Sequence, residues 1–305
     1  MPHAPLVIVN PTAGGGRAAR LIPWLRERLE RRPDVELFIT RRRGDAEERA
    51  AAAIANEHDR IIAVGGDGTI QEVLNGALGS DSRVPELGII PVGTGNDLAR
   101  SLGLPSDPAA AWRVAVGRSS RATDVARARN GDGNERWFAS AGGIGFDAQV
   151  AAAMAQRRGW QGSRAGYLLT TLSELRRFEN RHVRIALDGQ VLERDVLLIA
   201  VANGAYYGGG MRIAPNARAD DGLLDVCVVG DISRITALRE LPNLYRATHV
   251  RNPAVSMHTA VAIEVDGGSA TRVHLDGEPF GSLPLTIAIT PRAIEVAVPE
   301  PSARL

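Results

Sequence analysis

The sequence predicts an α/β N-terminal domain, a parallel sheet with flanking helices, followed by a β-sandwich C-terminal domain, with a cleft expected where the two meet. Three observations carry that expectation. Short apolar runs alternate with helical periodicity up to about residue 99, the texture turns to closely spaced β-rich segments after about residue 123, and 305 residues with 44% hydrophobic content can fill two moderate cores.

In the first part, 6–9, 35–40, 61–64 and 87–90 read as strands, and 18–31, 46–56 and 70–78 as helices. Strands separated by helices make a parallel sheet, whose ligands bind beyond the carboxyl ends of the strands. The first strand runs into Asn10-Pro11-Thr12-Ala13-Gly14-Gly15-Gly16, the third into Gly65-Gly66-Asp67-Gly68-Thr69, and the fourth into Pro91-Val92-Gly93-Thr94-Gly95-Asn96-Asp97. Three Gly-rich turns then share one edge of the sheet. In the second part, 123–128, 137–141, 183–187, 196–201, 223–229, 260–265, 272–275 and 285–289 read as strands, and 148–156, 167–178 and 235–246 as helices. Hairpin-like spacing with few helices between strands points to an antiparallel sandwich. The expected domains are 1–123 plus 291–305, and 124–290.

Composition removes several function classes. Lys+Arg 36 against Asp+Glu 35 leaves a net charge of +1, so no global field draws in nucleic acid. Every basic residue is Arg, which excludes a Schiff-base lysine and a phosphate-gripping P-loop lysine. The single cysteine, Cys227, cannot form a disulfide within one chain, and a reduced cytoplasmic compartment is the expectation. The opening residues lack a basic region followed by a long apolar stretch, and no run approaches the ~18 apolar residues of a membrane span. Peripheral contact with the inner face of the membrane stays open. The histidines show no metal-binding spacing.

In the turn from Gly65 to Thr69, glycines let backbone N–H groups approach phosphate oxygens, and a helix starting near Thr69 adds its dipole. Asp67 adds a carboxylate suited to Mg2+. Taken alone, the same residues also suit a tight strand-to-helix turn with a capping Thr. Taken alone, Asp276-Gly277-Glu278 reads as a hairpin turn ahead of an acidic site.

Together, Gly65-Gly66-Asp67-Gly68-Thr69, Gly93-Thr94-Gly95-Asn96-Asp97 and Asp276-Gly277-Glu278, in that order, resemble the bacterial diacylglycerol kinase family, which also includes sphingosine and ceramide kinases. Asn10-Pro11 at the start and Asp220-Asp221-Gly222-Leu223-Leu224-Asp225 in the second half extend the resemblance over nearly the whole chain. It implies an NAD kinase-like first domain, and that Asn10, Pro11, Thr12, Ala13, Gly14, Thr40, Gly65, Gly66, Asp67, Gly68, Thr69, Ile70, Gln71, Thr94, Gly95 and Asn96 surround ATP. It implies further that Glu278 accepts the proton of the acceptor hydroxyl, a task suited to a carboxylate near metal-bound phosphates. Asp67 and Asp97 would organise Mg2+ and the phosphates, meeting Glu278 in the cleft. Asp124 and Asp147 are weaker members, equally readable as caps. A structural Mg2+ is implied at a loop with ligands from the carbonyls of Arg218 and Leu223 and the carboxylate of Asp221; a plain surface turn is the other reading. The final segment would return 294–298 to the first domain, making a hinge that closes on ATP and excludes water.

Two departures from the family pattern stand out. Gln71 occupies a position where Asn is usual, and the loop after Asn10 is followed by Arg17 and lacks Ser. For the lipid, 206–211 and 142–146 offer glycines and aromatics that suit either an apolar channel or sandwich core. Arg41-Arg42-Arg43, Arg157-Arg158 with Trp160, and Arg176-Arg177 with Phe178 suit anionic headgroups or solvated helix faces. The expected function is ATP-dependent phosphorylation of a lipid hydroxyl, diacylglycerol giving phosphatidic acid, with ATP and Mg2+ as cofactors. A lipid with a free hydroxyl is the expected partner, and a homodimer is the assembly entertained. The alternatives are an NAD kinase or sugar-phosphate kinase sharing the Gly-Gly-Asp-Gly-Thr turn, and a nucleotide-binding lipid sensor without turnover.

Overall fold

The computed structural model describes residues 5–32, 34–79, 83–156 and 164–300. The chain divides into two compact units, 1–123 with 292–305, and 124–291.

The first unit opens with β1 (Leu6–Val9), α1 (Ala13–Leu29), β2 (Glu36–Ile39), α2 (Asp45–Ala55), β3 (Arg60–Gly65), α3 (Asp67–Leu78) and β4 (Glu86–Pro91). Two short helices follow, α4 (Asp97–Ser101) and α5 (Pro108–Ala115), and then β5 (Ser120–Asn130), which runs on into the second unit. The strands lie in the order β2-β1-β3-β4, every pair parallel. β1 and the Ile61–Val64 stretch of β3 are buried on both faces, which is why they read as unbroken apolar runs. Trp24 of α1 meets Trp112 of α5 edge-on at 6.2 Å on the side of the core containing Val7, Val9, Ile62, Val64 and Ile90.

The second unit contains β6 (Glu135–Phe138), β7 (Ala141–Gly145), α6 (Phe146–Gln156), α7 (Arg164–Leu175), β8 (Arg181–Leu187), β9 (Gln190–Ala202), β10 (Leu224–Gly230), α8 (Arg234–Arg246) and a 3-10 turn at His249–Arg251. It continues with β11 (Val255–Ala260), β12 (Ala262–Gly267), β13 (Arg272–Leu275), β14 (Glu278–Ser282) and β15 (Leu285–Ala297), whose end leaves this unit and places Val296 beside Leu87 of β4, in parallel. Among the described residues the pairs β5–β6, β7–β9, β7–β13, β8–β9, β8–β12, β9–β10, β10–β11, β12–β15 and β13–β14 are antiparallel. β9 serves several neighbours: its first half pairs with β8, its second half with β7 on one edge and β10 on the other. The two-residue alternation of strands explains the layers. Ile199 and Val201 of β9 join Val226 and Val228 of β10 in the sandwich core, whereas Leu198, Ala200 and Ala202 join Cys227 and Val229 in a second core with Phe146, Val150, Leu175 and Phe178.

Several sequence expectations shift here. The predicted strand 137–141 is two strands, interrupted at Ala139 and Ser140. Helix α3 begins at Asp67, two residues before Thr69, because the N–H groups of Thr69 and Ile70 both donate to Gly66 O, at 3.0 and 3.1 Å. Residues 206–211 close on themselves, Tyr207 and Met211 exchanging backbone bonds of 2.9 and 3.0 Å, and both side chains are buried. They and Phe146 are core. Phe178 too is buried, edge-on to Phe146 at 5.3 Å, and cannot meet headgroups. Arg42 is engaged by Asp45 and Glu48 at 3.2 and 2.8 Å. Arg157, Arg158 and Trp160 lie outside the described residues. Cys227 is fully buried, and desolvation, with the Asp147 carboxylate adding to it, pushes its thiol up to about 12. That leaves a packing residue without thiolate chemistry.

Candidate active site

In the first unit the turns after β1, β3 and β4 touch one another. Asn10 is the first tie. Its backbone N–H donates to Val64 O at 3.0 Å, its Nδ2 donates to Thr69 Oγ1 at 3.0 Å, and its Oδ1 accepts from Thr12 N and Oγ1 at 3.1 and 2.8 Å. Arg17 is the second, its Nε donating to Gly14 O at 3.1 Å and its Nη2 to Val92 O and Gly93 O at 3.0 and 2.9 Å. The sequence marked Arg17 only as a departure from the family pattern. Here it joins the first turn to the third.

The second and third turns meet backbone to backbone. A Cβ on Gly93 would lie 2.5 Å from Gly66 Cα, so no larger residue fits without parting them. Gly14, at φ 62, is as confined, since a Cβ there would stand 2.1 Å from Val92 O. Gly93→Ala is therefore expected to destabilise the chain by about 1–3 kcal/mol and to weaken nucleotide binding roughly tenfold or more, measured by urea unfolding and equilibrium dialysis. Unchanged values for both would show that the contact is dispensable.

Asp67 does more than the sequence suggested. Its Oδ2 accepts from Asn96 N and its Oδ1 from Asp97 N, each at 2.7 Å, so it braces the third turn at the start of α4. Desolvation raises the Asp67 carboxyl above the ordinary carboxylate range, opposed by the N–H groups of Asp97, Asn96, Asp67 itself and Leu98. A cation alongside favours the ionised form and reverses that shift. The Asp97 carboxylate is close: a Cβ on Gly95 would lie 2.5 Å from Asp67 Oδ2 and 3.4 Å from Asp97 Oδ2. Asn96 adopts the left-handed conformation, φ 54, donates Nδ2 to Gly93 O at 2.9 Å, and has a buried Oδ1 with no bonding partner among the described residues.

Thr40, at the end of β2, donates its N–H to Val9 O at 2.9 Å. Ile70 and Gln71 are buried, so their side chains belong to the interior of the unit rather than to the turns.

In the second unit, Asp276 and Gly277 form the two-residue turn between β13 and β14, with φ 49 and 85 and Leu275 paired to Glu278. Positive φ at both positions is the hairpin geometry matched to strand twist. The Asp276 carboxylate accepts three backbone N–H groups, from Ala139, Ser140 and Ala141 at 3.0, 2.9 and 3.0 Å, and its own N–H returns to Ala141 O at 2.9 Å. Glu278 is half-buried at the first position of β14.

The loop from Arg218 to Leu223 is fixed by Asp124, whose Oδ2 accepts from Gly222 N and whose own N–H donates to Ala219 O, both at 2.7 Å. Asp124 is thus a fully buried strut in this structure. Asn203, unremarked in the sequence, holds Asp124 O and Ala139 O through Nδ2 at 2.7 and 2.9 Å, linking that strut to the segment gripped by Asp276. Asp221 Oδ1 accepts from Leu223 N at 3.1 Å, and Arg218 Nε reaches Asp220 Oδ1 at 3.0 Å. Next to the loop, half-buried Asp225 is raised to about 6 by desolvation and by the Asp221 charge.

Among the described residues no three His, Cys, Asp or Glu side chains gather as a metal-holding group, and no helix is long and apolar enough to cross a membrane. The described groups of the first unit nevertheless fit a nucleotide phosphate with a divalent cation. Gly15 and Gly16 open onto free space, Asn10 ties their turn to the first turn of α3 through Thr69, and Asp67 and Asp97 supply two adjoining carboxylates. Mg2+ commonly takes one or two carboxylates and completes its shell with phosphate and water.

A parallel sheet with Gly-rich turns at its carboxyl edge, in one chain with a sandwich bearing an acidic hairpin, is the framework of a kinase, a phosphotransferase with an alcohol acceptor. The chain belongs to the diacylglycerol kinase family: residues 4–128 match the diacylglycerol kinase catalytic domain and residues 140–298 the YegS C-terminal NAD kinase beta sandwich-like domain. It is 35% identical over 295 residues to a diacylglycerol kinase of Mycobacterium tuberculosis (strain ATCC 25618 / H37Rv), covering 96% of this chain and 94% of the relative. With a diacylglycerol kinase of Staphylococcus haemolyticus (strain JCSC1435) it shares 31% identity over 296 residues, 96% of this chain and 88% of the relative. A crystal structure of a diacylglycerol kinase from Bacillus anthracis str. Sterne is similar with a TM-score of 0.77 at 30% identity, covering 97% of each chain.

Proposed function

We propose that this chain transfers the γ-phosphoryl group of ATP to the hydroxyl of a lipid, diacylglycerol giving phosphatidic acid. The observation that carries the proposal is the junction of the Gly65–Thr69 and Gly93–Asp97 turns, locked by the Gly66 and Gly93 backbones and braced by Asp67. Such a junction presents N–H groups and two carboxylates together, the combination a polyphosphate with its cation requires. Asp67 and Asp97 are the proposed holders of Mg2+, which when bound neutralises charge on the phosphates. Residues 10–14, Thr40, 65–71 and 94–96 are the proposed nucleotide neighbourhood, Ile70 and Gln71 acting as packing beneath it. In the transfer step the lipid oxygen bonds to the γ-phosphorus as the bond to the β,γ-bridging oxygen breaks. ADP leaves and Glu278 takes the hydroxyl proton.

Protein incubated with Mg2+ and γ-labelled ATP is expected to label diacylglycerol in mixed micelles and to leave NAD unlabelled. Label in NADP instead would favour the NAD kinase reading.

A structural Mg2+ at the Arg218 and Leu223 carbonyls and the Asp221 carboxylate is the second part of the proposal, and Asp225 supplies its test. The folded-state pKa of Asp225 is raised, so the fold holds the protonated form more tightly and stability is lost as pH rises from about 4 through about 6. Without divalent cations, the melting temperature is expected to fall between pH 5 and pH 7 more steeply in the parent chain than in Asp225→Asn, and added Mg2+ is expected to remove that difference. Identical slopes with and without Mg2+ would argue that no cation binds there.

The lipid acceptor further calls for contact with a bilayer, and α8 has the surface for it. Ile235, Leu238 and Tyr245 are 65, 43 and 53% exposed on one helical face, flanked by exposed Arg234, Arg239 and Arg246. An apolar stripe bordered by arginines suits an anionic interface, each charge adding about 1 kcal/mol. The double variant Ile235→Asp, Leu238→Asp is expected to stop co-sedimentation with phosphatidylglycerol-containing vesicles. Equal sedimentation of parent and variant would remove α8 from that role. A cytoplasmic location with peripheral attachment accompanies this reading.

A further inference from the structure

Within the second unit, the side chains of His274 and Asp147 are 5 and 4% exposed and meet at 3.3 Å, Nε2 to Oδ2. Asp147 Oδ1 accepts from Ala148 N at 2.8 Å, inside the first turn of α6. The other ring nitrogen, His274 Nδ1, faces Gly277 N at 3.2 Å. Gly277 is the second residue of the turn that delivers Glu278, and an N–H can only donate, so Nδ1 is the acceptor. Nε2 then carries the ring proton and donates it to Asp147. The ring is clamped in place: Tyr207 stacks on it at 6.4 Å with an interplanar angle of 13°, and Gly143 of the adjoining strand leaves the room it needs. A Cβ on Gly143 would fall 2.0 Å from Asp147 Oδ2 and 2.3 Å from His274 Nε2.

We propose that His274 is a positioning residue for Glu278, and that Asp147 fixes the tautomer through which it acts. The Asp276 carboxylate on three N–H groups and the His274 ring on the Gly277 N–H both anchor the hairpin tip. With either anchor released, the first residue of β14 gains rotational freedom, and misplacement of a proton acceptor by about 1 Å can cost up to a hundredfold in rate. Asp147 matters because an imidazole proton on Nδ1 would face the Gly277 N–H donor to donor. A carboxylate on Nε2 removes that state. His274 touches neither hydroxyl nor phosphate in this account. The proposal rests on Glu278 being the proton acceptor.

The test uses the full chain with four substitutions. His274→Asn places an amide oxygen near the Nδ1 position, His274→Gln places its amide near Nε2, His274→Leu removes both, and Asp147→Asn lets the ring adopt the other tautomer. The expected kcat falls roughly tenfold or more in the Gln, Leu and Asp147→Asn variants, with the KM for ATP unchanged, while His274→Asn retains most of kcat. Exchange of the Gly277 amide proton, followed by NMR, is expected to quicken in those three and to remain slow in His274→Asn. Equal kcat and equal Gly277 protection in His274→Asn and His274→Gln would overturn the proposal. So would losses of kcat that follow only the melting temperatures. If Glu278→Gln retains activity, the base reading fails by itself. The Gly277 exchange rates then still decide whether His274 holds the turn.

Discussion

Glu278→Gln is expected to lower kcat for lipid phosphorylation by about 10^2- to 10^4-fold, the range over which a positioned proton acceptor acts. The amide keeps the size and the hydrogen-bonding shape of the carboxylate. The hairpin is anchored through Asp276 and His274, so the variant is expected to keep its turn. ATP affinity is therefore expected to stay within about twofold, since each 1.4 kcal/mol is tenfold and no nucleotide contact is removed. Stopped-flow turnover beside equilibrium ATP binding separates the two quantities. A lipid sensor without turnover would show no kcat to lose, and a kinase with another base would show little change.

The second large effect is expected in stability. Asp276→Ala removes the acceptor of three N–H groups at once and leaves the new side chain at φ 49. Lost bonds to a charged acceptor and donors left unsatisfied cost about 1–3 kcal/mol each, and an Ala at positive φ adds roughly 1 kcal/mol. Water reaches the half-buried turn and recovers part of this, so the net expectation is a loss on the order of 3 kcal/mol in urea unfolding. Asp276→Asn, which keeps one acceptor oxygen and tolerates positive φ, should lose clearly less. Equal stability of the two variants would mean that the carboxylate is not what holds residues 139–141.

Much of the architecture was legible because its signals are local. Parallel strands buried on both faces spell continuous apolar runs, as in Leu6–Val9, and the turns that must approach another backbone spell glycine, as at Gly66 and Gly93. What the sequence hid depends on partners far along the chain. Nothing near Asp67 shows that its oxygens are taken by Asn96 and Asp97, and so the five-residue α4 went unpredicted. The break between β6 and β7 is likewise invisible in Ala139-Ser140-Ala141. It is set by Asp276, more than 130 positions away. Arg17 looked like a departure from a pattern until its guanidinium was found on the Val92 and Gly93 carbonyls. His274 and Asp147 are 127 residues apart, and each alone carries no motif.

Phosphoryl transfer itself tests the account most directly. Purified protein with Mg2+ and ATP, offered diacylglycerol, phosphatidylglycerol, sphingoid bases and ceramide in turn, is read by mass spectrometry of the extracted lipids. The expected result is phosphatidic acid from diacylglycerol, dependent on both ATP and Mg2+, with its rate of formation at least about a hundredfold lower in the Glu278→Gln variant. No phosphorylated product from any lipid, with ATP bound and the protein folded, would contradict it.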